Sequence, residues 1–481
     1  MKRVIIDQWN TGGISDSIFM GPPNSLAAMV GMDVHSKPGL INANYQLRKG
    51  SGTTVDSFIK TMINCSDGSN YGFSSTTGKV WKITNAGVAT LVYTTVPTAG
   101  GAGCLGAMEY NGYIYWATSK YLHRISSAST DDWTTNASPN WAVFTQIDTN
   151  NHRMAVVNNV LYITDKNYIA QVDEDTFTAN ALDLPVEQWA ISVNKVLSDL
   201  VIGTQVKTSV VNKATVYRWN TWSESWSAED EIDENAVRTF LKADNYILVS
   251  AGINGNLYSY NGTQLQGFKT IPGDYTKTAY TIIWPEATGN YKGIPLFGYS
   301  LHPSATTSPS LLGIYGFGRK RLDYPIILDL PFPIYPVSNT AMELDDIEIG
   351  AIVTDGNVIL ASWDNNGTYG VSALSYSYRN TGAYIDTRVI NLERERLQRV
   401  KKVIVNYQSL PASTSISVSY NKNYEFTASE DWTALTMVDD TTRKRVFADY
   451  SLDANTIQLR MTLTTSGSST PVIESIVLYL E

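Results

Sequence analysis

Cysteine is nearly absent: the 481 residues contain Cys65 and Cys104 and no others. Two thiols so far apart supply neither a disulfide framework nor the paired spacing of a zinc site, and both read as buried free thiols. Histidine is equally scarce. His35, His123, His152 and His302 stand in unrelated contexts, without the HxH or HExxH spacing that metal chemistry needs. Neither a GxSxG elbow nor a P-loop occurs. Long apolar runs are missing too. Nothing approaches the roughly 20 residues of a membrane span, and MKRVIIDQW has too few apolar residues for a signal peptide, so synthesis in the cytosol is expected. Basic charge is in deficit, with 36 Lys and Arg against 45 Asp and Glu and a net charge of −9. That balance argues against a chain that grips nucleic acid by neutralising phosphates. Long helical periodicity is nearly absent as well.

What remains is the composition of sheets and tight turns: 29 Tyr, 12 Trp and 34 Gly in a chain that is 43% hydrophobic and 17% charged. An all-β protein is expected. Residues 243–262 show the unit. Tyr246, Ile247, Leu248 and Val249 form an apolar run, Asn254-Gly255 supplies a turn, and Leu257, Tyr258 and Tyr260 begin a second strand.

Degenerate copies recur about every 40 to 57 residues, the range of four-stranded propeller blades. Their aromatic strands centre on Trp81, Leu122, Ile169, Tyr217, Tyr258 and Tyr315, with a seventh at Tyr369. A six- or seven-bladed propeller over 61–377 is expected, its ring closed by the N-terminal arm or by the end of the propeller. Residues 1–60 do not repeat. They read as an extended arm docked on the body or on a neighbour, with residues 26–30 as its one helical turn. Ile5, Trp9, Ile18 and Phe19 are candidate subunit contacts, too apolar for a free tail. The proline-rich stretch 330–336 reads as an extended surface segment, because proline cannot serve a central strand. From 378 to 481 the rhythm changes to apolar–polar alternation, which implies a C-terminal β-sandwich. Residues 393–402 form its densest charge cluster, a solvated edge or a subunit contact through Arg394 and Arg396.

No catalytic, cofactor or metal residue stands out. The acidic pairs at 131–132, 345–346 and 439–440 sit in polar loops and read as solvated turns. Ser362 to Tyr369 superficially resembles the Asp-box of sialidases, but has one extra residue before Gly367 and Tyr in the Trp place. That box is a structural turn, and no pair of positioned carboxylates for glycoside hydrolysis accompanies it. Trp133, Trp141, Trp222 and Trp226 lie in polar stretches. They fill the wedges between blades or, for Trp222 and Trp226, stack on sugars.

The arm motifs Gly13-Ile14-Ser15-Asp16, Gly21-Pro22-Pro23-Asn24-Ser25 and 33–40, the first-blade run 74–81 and the C-terminal sandwich together resemble the tail nozzle, or tail tubular protein B-like, proteins of short-tailed bacteriophages. The resemblance covers nearly the whole length in organisation. It implies a non-enzymatic virion subunit, a hexameric ring of copies of the chain, contacts with adaptor and fibre proteins, and DNA passing without sequence-specific binding. It implies location in the virion tail and no cofactor. The alternatives are a receptor-binding or head-completion virion protein, and a carbohydrate-binding or glycosidase-like propeller that meets a host surface glycan.

Overall fold

The 243–262 hairpin forms as its sequence dictates. In the computed structural model Tyr246–Ala251 pairs antiparallel with Asn256–Tyr260, and Ala251 lies opposite Asn256. The four-residue loop between them turns at Gly252 and Gly255, at φ 72° and 65°, a region that L side chains rarely adopt. All residues are described except 1, 16, 18, 22–23, 51–54, 95–102, 208–212, 244–245, 273–279, 303–310, 320–324, 393–397, 424–431 and 449–451. No helix among them is long and apolar enough to cross a membrane.

Six four-stranded antiparallel sheets are arranged as the blades of a propeller. The first runs from Ile59–Asn64 to Ala89–Thr94, the second from Gly106–Tyr110 to Ser138–Val143, and the third from Met154–Val157 to Thr176–Asp183. The fourth runs from Gln188–Val196 to Ala228–Ile232 and the fifth from Val237–Ala243 to Leu265–Thr270. The last comprises Ile347–Asp355, Val358–Asn365, Thr368–Arg379 and, as its outer strand, Tyr45–Lys49 from the N-terminal region. The arm therefore closes the ring, one of the two closures the repeat pattern allowed. Between the fifth and last blades, Thr288–Tyr291, Ile294–His302, Gly313–Gly318 and Ile327–Phe332 fill the remaining position. Polar bonds stitch neighbouring blades. Cys104 N donates to Ser74 O at 2.7 Å, Ala190 N to Lys166 O at 2.8 Å, and Ser362 Oγ to Ile59 O at 2.7 Å across the closing seam.

The strand at Ile327–Phe332 belongs to an eleven-stranded sheet that runs on into the sandwich through Leu26–Val30, Tyr384–Thr387, Thr456–Thr464 and Ser415–Lys422. An eight-stranded sheet is its partner. It centres on Val472–Leu480 and Gln398–Tyr407 and receives Lys2–Ile6, Met32–Asp33 and Ile41–Ala43 from the N-terminus. Val403, Ile473 and Leu478 of one sheet share a core with Met29, Val418 and Leu459 of the other.

Two expectations are corrected here. Residues 26–30 are not a helical turn but a fully buried strand, antiparallel to Tyr384–Thr387 and parallel to Ile327–Phe332. Five consecutive apolar residues suit a strand covered on both faces; the short helix of the arm is Trp9–Gly12 instead. The proline-rich stretch is buried, with Leu330, Phe332, Ile334 and Tyr335 at 2% exposure or less. The strand accommodates Pro331 beside an irregularity in its pairing with Gly313–Gly318, and Asn380 Nδ2 donates to the Pro331 carbonyl at 3.1 Å. The first 60 residues are thus woven into both the sandwich and the propeller.

Candidate functional site

Each blade turns its first strand toward the propeller axis, and two ionic groups meet there. Arg153, which leads into the first strand of the third blade, is 3% exposed. Its Nη1 lies 3.4 Å from Thr61 Oγ1 of the first blade and 3.6 Å from Glu286 Oε1 on the far side of the ring. Lys60 sits 3.9 Å from Glu348 and 3.6 Å above the Trp284 ring, whose indole N–H donates to Glu348 at 2.7 Å. Burial pulls both cations below their ordinary pKa, with Glu286 and Glu348 acting in the opposite direction. These contacts tie the first strands of separate blades to one another. Beside them lies a cavity of about 280 Å³ whose lining comes from the second blade round to Thr288. None of the four charged residues carries a sequence signal. Each stands alone in its unit, and ring closure brings them together.

A second feature lies on the rim of the fourth blade. Trp222 is 83% exposed, and the Asn220 side chain holds its turn by accepting from Trp222 N and Ser223 N at 3.0 Å. Thr221, just before it, sits at φ 67°. Asn158 Nδ2 donates both to Thr221 Oγ1 and to Ser198 O, which brings in Leu197, also 83% exposed and at φ 55°. Trp226 is half-buried: it meets Tyr217 edge-on at 5.0 Å and donates to Glu229 at 3.1 Å. Trp133 is buried among Tyr71, Phe73 and Trp116, and Trp141 packs on Tyr115 and Arg124, so these two fill wedges between strands.

Of the candidate subunit contacts, Ile5 and Phe19 are 40% and 54% exposed. Trp9 is 1% exposed and donates its indole N–H to Glu474 O at 3.2 Å. This corrects its reading as a contact, because the sandwich itself covers it. Ile18, Arg394 and Arg396 lie outside the described residues. Within the same charge cluster, Arg399 pairs with Asp453 at 3.2 Å and Lys401 with Glu481 at 3.3 Å.

The histidines, and the acidic residues Asp132, Asp364 and Asp440, make contacts within the fold where their side chains are described. His123 stacks on Trp116 and accepts from Asn140 N at 3.0 Å, and burial pulls its pKa down to about 4. His152 stacks on Phe144 at 4.1 Å, and His35 faces the buried Asp329 at 3.4 Å. Only the backbone of His302 is described. Cys65 and Cys104 are buried free thiols, the latter pushed up to about 12 by burial. Asp132 caps the helix Trp133–Asn136, and Asp440 pairs with Arg445. In the stretch that resembles an Asp-box, Asp364 Oδ1 accepts from Gly367 N at 2.8 Å and steadies a two-residue hairpin turn. Among the described residues no group of three or more His, Cys, Asp or Glu is placed to hold a metal.

No family model matches the chain, and no curated protein matches it in sequence. Solved structures share its fold at low identity. The extracellular domain of a hybrid two component system from B. thetaiotaomicron is 12% identical at a TM-score of 0.45, over 79% of this chain and 43% of that one. The chain thus spans less than half of that domain. A catalytically inactive virginiamycin B lyase from Staphylococcus aureus is 13% identical at 0.47, over 69% and 99%. The Cps50 (Swd1) propeller domain of Myceliophteria thermophila is 10% identical at 0.45, over 67% and 99%.

Proposed function

We propose that this chain is a non-enzymatic structural subunit that assembles with copies of itself through its sandwich, as a ring-forming virion protein of the phage tail nozzle type. The observation that carries the reading is a sheet edge that is open among the described residues. Thr436–Asp440 is the last strand of the eight-stranded sheet, and all five of its residues are exposed, Met437 and Val438 among them. An exposed edge strand carrying Met437 and Val438 is a template for another chain, and the irregularity between Met437 and Asp439 with the charges of Asp439 and Asp440 confines that template to its first residues. At the opposite end of the sheet, Lys2–Ile6 pairs only with Val472–Leu480 among the described strands and exposes Ile5. Two different open edges suit head-to-tail contacts, which give a ring where the rotation between copies closes. Arg153 with Glu286 and Lys60 with Glu348 form ion pairs between the inner strands of the propeller, and on this reading DNA would pass through the centre of the ring of copies and not through a propeller. The net charge of −9 suits a wall that does not hold DNA. Adaptor and fibre proteins would be its neighbours in the tail.

The test is the mass of the purified chain in solution, by light scattering and native mass spectrometry, with Val438→Lys beside it. The parent should form a closed oligomer, six copies on the nozzle reading. A lysine on the edge should shift it toward monomer and leave the melting temperature within a degree or two. A parent that is monomeric at every concentration, and also in particles, would overturn the reading.

A second reading has one observation in its favour. Trp222 stands out from a hydrogen-bonded turn ringed by Asn158, Asn220, Thr221 and Ser223, an aromatic face with amide and hydroxyl neighbours of the kind that sugars stack on. Glycan-array binding that is lost in Trp222→Ala would support it.

A further inference from the structure

The rim of the propeller carries two exposed aromatic patches of opposite charge. The first belongs to the last blade. There the pairing of Thr368–Arg379 with Tyr45–Lys49 passes from Ser375 opposite Gln46 straight to Arg379 opposite Tyr45. Residues 376–378 have no partner across the strand, and a bulge of this kind re-aims its side chains. Tyr376 and Tyr378, two positions apart in one strand, are 41% and 44% exposed. The Arg48 guanidinium lies 3.7 Å above the Tyr378 ring, and Lys292 Nζ lies 5.7 Å from the centre of the Tyr376 ring. Among the described residues neither cation has an ion pair. The second patch is the outer part of the fourth blade. From Asn220 to Glu234 the chain has six acidic residues and no lysine or arginine. Glu224, Glu229, Glu231 and Asp233 are exposed, and Lys213 offsets one of them at 3.4 Å from Glu231. Trp222 stands out of the same segment, with Leu197 bridged to its turn through Asn158. Leu197 keeps a left-handed backbone and yet stays exposed, and strain that gains no burial points to a contact outside the chain.

The two patches are placed for each other on separate copies. The fourth blade and the last stand three positions apart in a ring of seven, on opposite sides of the propeller. Both patches lie at the same end of it. Tyr376 Oη donates to Asn357 O, in the turn between the first two strands of its blade, and Leu197 occupies the matching turn of the fourth. Opposite sides at one height are what a rotation that sets copies side by side brings together. We propose that the acidic, aromatic rim of the fourth blade docks on the tyrosine and cation patch of the last blade in the next copy. Trp222 is the anchor against Tyr376 and Tyr378, and the acidic side chains face Arg48 and Lys292. The charges set the direction of the contact, since two fourth-blade rims, or two last-blade patches, would repel each other. The contact rests on the reading that copies form a ring, and it adds a propeller interface to the sandwich edges.

The experiment is native mass spectrometry and sedimentation velocity of the full chain over a concentration series, with charge reversed on each side in turn. Trp222→Ala should raise the concentration at which the ring dissociates about tenfold or more, as the loss of an interface anchor does. Glu224→Lys with Glu229→Lys, and separately Arg48→Glu with Lys292→Glu, should each weaken assembly, because like charges then meet. The four substitutions in one chain should restore it to within about threefold of the parent. An equimolar mixture of the two reversed chains should assemble as well, with the two kinds alternating. None of these positions is in the core, so melting temperatures should stay within a degree or two of the parent. A parent ring that no variant weakens would leave assembly through the sandwich standing and overturn the propeller contact. Weakening on both sides without rescue would overturn it too. So would a glycan-array signal that Trp222→Ala abolishes while assembly is unchanged, since the rim would then belong to sugar. A parent that is monomeric throughout would overturn both readings.

Discussion

The second to fifth blades and the sandwich are both antiparallel β-structure, yet they are built on opposite principles. Each of those blades is a run of consecutive hairpins: Tyr110 lies opposite Tyr113, Val157 opposite Val160, and Ala251 opposite Asn256. The partners are a few residues apart, so the loop that brings them together costs little entropy. The sandwich pairs Lys2 with Leu480, Val30 with Leu330 and Ile41 with Ile473. Its strands come from the two ends of the chain and cannot form until the propeller between them has brought those ends together. The propeller is local structure repeated; the sandwich is long-range structure that locks the ring. Folding should accordingly be fast in the blades and limited by sandwich closure.

The largest effect that would break this comparison is expected at Met29. It is fully buried in the strand between Tyr384–Thr387 and Ile327–Phe332, in the core shared by the sandwich and the sheet that fills the propeller's open position. Met29→Asp places a charge with no partner in that core and should cost 4 kcal/mol or more, on the order of what an unpaired buried charge costs. Denaturant unfolding followed by intrinsic fluorescence should show one transition becoming two, with the sandwich lost first and the second to fifth blades persisting. A single transition, shifted as a whole, would mean that blades and sandwich form one cooperative unit despite their different construction.

The same division decides what could be read from the sequence. The inner hairpins of the blades were legible because turn residues and apolar runs stand side by side: Asn111-Gly112 before Tyr113–Ala117, Asn158-Asn159 before Val160–Asp165. The alternating strands of the sandwich, such as Thr456–Thr464, were legible for the same reason. The arm was not. Nothing within residues 26–30 says that their partners lie some 300 residues away, and a buried strand with both faces covered has the composition of a helical turn. Pro331 misled because the rule against proline in strands concerns the missing donor. Here the pairing is irregular, and side chains from Asn380 and Asn44 satisfy the proline carbonyl. The axial residues Arg153 and Glu286 were invisible, since a lone charge at a strand start is ordinary until the ring brings two of them together.

A smaller effect sharpens the comparison inside the propeller. His123 is buried against Trp116 in the second blade, and burial holds its pKa near 4 against an ordinary 6.5. The neutral form is favoured in the folded state, so its contribution is intact above pH 6.5 and is lost as pH falls from 6.5 toward 4. The full span corresponds to about 3 kcal/mol. Asp165, in the neighbouring blade, runs the other way: burial raises its pKa to about 6, so its ionised form is a burden above that pH that protonation relieves. His123→Gln should flatten the acid limb of the stability profile between pH 6.5 and 4, read by urea midpoints. A variant that loses stability equally at every pH would show that the ring packs without titrating.

The smallest effect concerns the two-residue turns that make the blades local. Asn111 at φ 47°, Asn158 at 51° and Asn366 at 48° each start such a turn, and asparagine tolerates that region. Leu197 occupies the same position between Gln188–Val196 and Asp199–Val206 at φ 55°, with its side chain 83% exposed. A branched apolar residue there is strained and gains nothing from burial within the chain. Leu197→Gly should therefore raise stability by about 1 kcal/mol, the order of the left-handed penalty for an L residue, read as a higher urea midpoint with an unchanged slope. If the strain is kept because Leu197 and Trp222 together touch something outside the chain, the same substitution should weaken assembly or glycan capture while it stabilises the fold. Stabilisation with neither binding readout altered would leave the strain a cost that the local turn simply bears.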